Sequence, residues 1–218
     1  MRADAIERRR RLIVAGREQF AERGYDVSLE AVAEAAGVGI ATLYRNFPTR
    51  LDLKIAILTD GLETSRLILD ELRQLAETDA SAAMIRLARL FMSLQLGAMI
   101  PIIVRDQELI PPELIEARQA NFATVAEIIE RAKSHGAVAA DITLTDFLSG
   151  VALITRPLPA IAAAPMLLVS TDPNELVERI LSIFVAGLRP SAREPYDDVT
   201  PPADQARHVE MVSAQECS

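Results

Sequence analysis

The feature that most restricts the fold lies just past Pro48. Proline ends any helix running into it, and Thr49-Arg50-Leu51-Asp52 then fits the [ST]-x-x-[DE] capping box that opens a new one. From there Leu51, Ile55, Leu58, Leu62, Leu69 and Leu72 keep a helical period, so one long helix is expected over 50–77. No convincing strand, internal repeat or sustained heptad accompanies it. The expected architecture is all-α.

Punctuation on either side supports this. Leu12, Ile13, Gly16 and Phe20, with Ile6 a heptad before Ile13, mark the inner face of a first helix over 4–23, which Gly24 stops. Ser28 is a good N-cap for SLEAVAEAA, which Gly37 ends; Ala31 at the third helical position precludes a full capping box. A third helix follows over 39–46. Beyond the long helix, others are expected at 80–99, 112–134, 141–156 and 172–188, with a short link at 101–110. Pro111-Pro112 opens the 112–134 helix and Gly136 closes it. PLPAIAAAPMLLVST reads as a connection. From 190 onward, four prolines and an acidic excess read as a disordered tail. The reading is about nine helices in three parts: a head over 1–50, a bundle over 51–189 and a tail over 190–218.

Charge separates head from body. The chain carries −8 overall, yet residues 1–50 hold nine arginines against seven acids. Screening over roughly 10 Å lets such a head bind phosphate beside an acidic body. Residues 28–47 have the helix-turn-helix layout, with Val32, Val38, Leu43 and Phe47 as core positions. Ile40, Thr42, Tyr44, Arg45 and Asn46 are then left on the surface, and the polar ones can bond phosphate or base edges.

Here the chain resembles the TetR family of bacterial transcriptional regulators. The resemblance rests on AERGYDVSLEAVAEAAGVGIATLYRNFPTRLDL, residues 21–53, and on its core A-x-x-A-G-V-x-x-x-T-L-Y-x-x-F-x-[ST]-[KR] from Ala33 to Arg50. It implies phosphate contacts for Thr42 and Tyr44, a phosphate clamp at Arg50, and base or backbone contacts for Gly39, Ile40, Arg45 and Asn46. Ser28 would meet phosphate through its hydroxyl and nearby backbone N–H groups, and Lys54 is a further candidate. Two positions depart from the pattern: Gly39 replaces a common Ser N-cap, and Ala41 replaces a frequent Gly. Ile40 offers only apolar contact, for example to a thymine methyl.

The run Arg8-Arg9-Arg10-Arg11 reads as a solvated helix start, since residues stepping by 100° cannot all face one duplex. Met92, Gln95, Met99, Phe122 and Phe147, with Arg105, are candidate lining of an apolar cavity between bundle helices. Arg105 and Asp106 read as a surface pair. The last two helices look too apolar for edge helices. The resemblance implies that they pair across a two-fold axis, through Leu148, Val151, Leu176, Ile180 and Phe184, into a homodimer facing a palindromic operator.

No G-x-S-x-G, Walker A, H-E-x-x-H or G-x-G-x-x-G motif occurs, so no enzyme, cofactor or metal site is expected. The single cysteine, Cys217, and the lack of a signal peptide or membrane span point to a soluble cytoplasmic protein. The expected function is a one-component regulator: a repressor of double-stranded operator DNA, released by a small, largely apolar effector. The long helix would be the lever between effector and head. The competing readings are a helical ligand-binding or scaffolding protein, which would not bind specific DNA, and an all-α enzyme, which needs a titratable cluster.

Overall fold

Helix ends are set by local hydrogen bonding. The structure, a computed structural model, describes residues 2–24, 26–156 and 173–190. Nine α-helices lie among the described residues: α1 (Arg2–Arg23), α2 (Leu29–Ala35), α3 (Ile40–Asn46), α4 (Arg50–Thr78), α5 (Ala80–Ser93), α6 (Leu96–Arg105), α7 (Pro112–Ser134), α8 (Leu144–Ile154) and α9 (Pro173–Gly187). A single 3-10 turn, Gln107–Leu109, separates α6 from α7. The connection and tail expected over 157–172 and 191–218 lie outside the described residues.

Ser28 Oγ accepts the Ala31 N–H at 3.1 Å and starts α2. After α2, Gly37 takes φ +66, its N–H donates to the Glu34 carbonyl, and the Val38 N–H donates to Ala33. This Schellman turn needs a left-handed residue, which glycine supplies without a Cβ penalty. Thr49 and Asp52 form the full capping box that opens α4. Gly39, by contrast, starts α3 with no side-chain cap.

Four expectations change. The helix read over 80–99 breaks at Gln95, a non-glycine residue at φ +52, and restarts as α6. A left-handed residue without glycine costs about 1–2 kcal/mol and leaves no sequence mark. The link read at 101–110 is helical to Arg105. The helix read from 141 starts at Leu144, because Thr143 and Asp146 make a second capping box. Ile6, placed on the inner face of the first helix, is 70% exposed.

Packing divides into two hydrophobic cores, and α4 contributes to both. The first gathers Leu12, Phe20, Val32, Leu43 and Phe47 from α1–α3 with Leu53, Ala56 and Ile57 of α4 and Ala98 and Met99 of α6. The first core therefore extends past residue 50 into α4 and α6. The second core joins Leu69, Leu72 and Ala76 of α4 to α5, α7, α8 and α9. Between the two, Asn121 of α7 donates to the Leu62 carbonyl at 3.0 Å and to Ser65 Oγ at 2.7 Å, so the buried amide is satisfied. Among the described residues no helix is long and apolar enough to cross a membrane.

Two close approaches fix α1 and α6. A Cβ on Gly16 would stand 2.9 Å from Ile57 Cδ1, and one on Gly97 would stand 2.2 Å from the Ala152 carbonyl oxygen. The second obstacle is backbone and cannot rotate away. Gly97→Ala should therefore cost about 1–3 kcal/mol by overpacking. Gly61→Ala, inside α4 with no atom closer than 3.9 Å, should instead stabilise by about 0.5–1 kcal/mol. Thermal melts of both variants check the opposite signs.

Candidate nucleic-acid interface

The second helix of the helix-turn-helix, α3, is held from three sides. Leu43 and Phe47 are buried in the first core, while Val38 and Ile40 pack at its edge half-buried. The outer face then carries Thr42, Tyr44, Arg45 and Asn46, as the pattern predicts. Tyr44 is 46% exposed. Arg45 Nη2 donates to Thr42 Oγ1 at 2.8 Å, and Asn46 Nδ2 donates to the Thr42 carbonyl at 2.8 Å. Arg45 is thus aimed in advance, and the Thr42 hydroxyl keeps its own proton to donate outward. Gly39 and Ser28 lie exposed at the starts of α3 and α2.

Other arginines serve the frame, a role the sequence reading missed. Arg9 lies over the Phe47 ring, 4.3 Å from its centroid, and donates to the Asn46 carbonyl at 3.0 Å. Arg11 reaches the Ala36 carbonyl at 3.4 Å. Both put positive charge on the C-terminal ends of short helices, where the carbonyls need it. Arg50 Nη1 donates to the Val27 carbonyl at 2.5 Å, tying the start of α4 to the loop that enters α2. Arg17 of α1 pairs with Asp60 of α4.

Lys54 is not on this surface. It is 3% exposed, lies 5.9 Å from the Phe20 ring centroid, and its ammonium pairs with Asp106 at 2.9 Å. The expected phosphate role for Lys54 is corrected on that ground: its charge is spent on a carboxylate at the end of α6. Arg105, expected to pair with Asp106 at the surface, reaches toward Asp26 at 3.9 Å, while Asp106 holds Lys54.

Residues 12–57 match the sequence model of "Bacterial regulatory proteins, tetR family". An HTH-type transcriptional regulator of Staphylococcus aureus, SAB2452, is 37% identical over 65 residues, covering 29% of this chain and 35% of that protein. The HTH-type transcriptional activator FasR of Mycolicibacterium smegmatis is 40% identical over 53 residues, covering 24% of each. The chain thus spans about a third and a quarter of these curated relatives. The crystal structure of the TetR transcriptional regulator SCO0520 from Streptomyces coelicolor superposes with a TM-score of 0.56 at 27% identity, covering 84% of this chain and 99% of that one. Residues 12–57 thus carry a helix-turn-helix of the tetR type, and the described chain shares the fold of a TetR transcriptional regulator.

Several bundle residues sort differently from expectation. Phe147 is fully buried, with Phe91 at 6.4 Å and Phe184 at 6.3 Å between ring centroids. Met99 packs in the first core rather than between bundle helices. Met92, Gln95 and Phe122 are half-buried, and Arg105 is exposed. Phe147 and Met99 thus pack in two different cores. Val151, Leu148 and Phe184, expected at the dimer interface, pack in the chain's own second core. Leu153 and Ile183 are instead 68% and 69% exposed, and Ile180 joins them.

The Lys54–Asp106 pair supplies the sharpest test of this geometry. Removing one partner of a buried pair leaves the other charge unsatisfied, at about 3–5 kcal/mol. Asp106→Ala should show that loss in urea unfolding, while Lys54→Met with Asp106→Leu should recover most of it.

Proposed function

We propose that this regulator is a homodimeric repressor, with residues 1–50 as the DNA-binding part and 51–189 as the ligand-binding and dimerisation part. The carrying observation is the outer face of α3, where Thr42, Tyr44, Arg45 and Asn46 stand together on a helix anchored by Phe47, Arg9 and the Gly37 turn. Thr42 and Tyr44 contact phosphates, Arg45 and Asn46 reach base edges, and Ile40 makes an apolar contact. Ser28 and Arg50 flank the same surface; Gly39 lets the backbone approach. A dimer offers two such helices to successive major grooves, about 34 Å apart, and so selects a palindrome. Bound there, it occludes the promoter.

Pairing uses Leu153 of α8 with Ile180 and Ile183 of α9, which the second core leaves in solvent. Leu176, half-buried on α9, extends the same helix. Ile183→Asp should therefore yield a monomer in sedimentation, with its helix content unchanged by circular dichroism.

An effector acts through α6. Gln95, at the junction of α5 and α6, has a buried Oε1 with no hydrogen-bond partner among the described residues, which suits a largely apolar ligand with one donor group. From there α6 leads to Asp106 and hence to Lys54 at the head end of α4. A ligand that displaces α6 shifts the heads, provided it binds the two states differently by about 1–3 kcal/mol.

Selection of sites from random duplex DNA at near-physiological salt tests the whole reading. The expected result is an enriched palindrome with half-sites about one helical turn apart, lost on Tyr44→Ala with Arg45→Ala. Arg45→Ala alone should cost about 1–3 kcal/mol and relax preference at one position of each half-site. No enrichment from folded, dimeric protein would leave the helix-turn-helix without its assigned task.

A further inference from the structure

The four successive arginines of α1 are not equivalent. Arg9 is engaged with Phe47 and the Asn46 carbonyl, and Arg11 with the Ala36 carbonyl. Arg10 chelates Glu7 through two bonds of 3.0 and 2.9 Å, and those bonds hold the Glu7 carboxyl below its usual value. Arg8 is different. Exposed, it makes no ion pair or hydrogen bond among the described residues, and it lines a notch with Ala5, one turn back on α1, and with Thr42, Arg45 and Asn46 of α3.

That notch concentrates unlike chemistry for a folded protein on its own. It holds two guanidinium groups, Arg8 and Arg45, and no carboxylate lines it. Like charges in one recess repel, and the fold gains nothing internal from placing them there. Beside them stands the Thr42 hydroxyl, whose oxygen already accepts from Arg45 and whose proton is available. Two cationic forks and a hydroxyl donor around one open recess form a receptor for a multi-oxygen anion. The recess opens on the flank of α3, where a DNA strand bordering the major groove passes if α3 lies in that groove.

We propose that Arg8 is a further DNA-contacting residue, gripping with Arg45 and Thr42 a backbone phosphodiester on the α1 side of α3. It rests on the reading of α3 as the recognition helix. Arg8 thereby adds affinity and fixes the roll of α3 in the groove, but reads no base. Arg10, two positions on, takes no part, because it does not line the notch and its guanidinium is held by Glu7.

The test compares full-length wild type with Arg8→Ala, Arg8→Lys and Arg10→Ala. Fluorescence anisotropy is read on the duplex enriched by selection, or on a mixed-sequence 30-base-pair duplex, between about 50 and 200 mM salt. Expected for Arg8→Ala is roughly tenfold weaker dimer binding on every sequence, and a salt slope lower by about 1 per head. The enriched motif should stay the same. Arg8→Lys should retain most of the slope, and Arg10→Ala should match wild type. Wild-type binding with Arg8→Ala unchanged in affinity and slope overturns the assignment of Arg8 alone. No wild-type binding to any duplex sinks the recognition-helix reading and this proposal with it. If inorganic phosphate stabilises wild type more than chloride at equal ionic strength, and Arg8→Ala binds DNA normally, the notch is a free-anion site and the proposal fails.

Discussion

Helix α4 completes two hydrophobic cores at once, and most of the molecule follows from that constraint. Its first turns contribute Leu53, Ala56 and Ile57 to the core that holds the helix-turn-helix, and its last turns contribute Leu69, Leu72 and Ala76 to the bundle. A continuous hydrogen-bonded helix is stiff, so neither core can shift without the other. The Lys54–Asp106 pair sharpens this. A charge buried to 3% exposure is stabilised by a close counter-charge, so the pair favours keeping the end of α6 beside the start of α4.

Helix α6 is the second shared element. Ala98 and Met99 face the first core, while Gly97 lies against the backbone of Ala152, in α8, and of Arg156 just past its end. The Gly97 N–H also donates to Thr155 Oγ1 at 3.0 Å. A route therefore runs from the helices proposed to pair, through α6, to the helix-turn-helix. It is built from backbone contact and one ion pair rather than from a chain of exposed side chains. An effector signal of the kind proposed would therefore involve α4 and α6 together.

Much of the head was legible because its signals are local. Ser28, Gly37, Thr49 and Asp52 each mark a boundary through bonds made within a few residues. Thr143 and Asp146 carry the same capping signature and could have been read in the same way. The Gln95 break was not legible, since a non-glycine left-handed residue interrupts the helix without interrupting the apolar pattern. Lys54 misled for a different reason. Four residues after Arg50 it shares that residue's side of α4, and contacts distant in sequence, Phe20 of α1 and Asp106 52 positions away, enclose it. In α8 and α9 apolar residues occupy most of the circumference, so the sequence could not say that Val151 and Phe184 go inward while Leu153 and Ile183 stay out.

The grip of Arg9 on α3 carries a thermodynamic consequence. A helix of seven residues has too few internal hydrogen bonds to offset its nucleation cost and would be a minor species in water. Here Arg9 covers the Phe47 ring and holds the Asn46 carbonyl, while the Gly37 turn fixes the other end. The ordering entropy of α3 is therefore lost on folding, before any partner arrives. What meets a docking surface is a finished helix, and association can be fast and enthalpically lean, because nothing in α3 has left to fold.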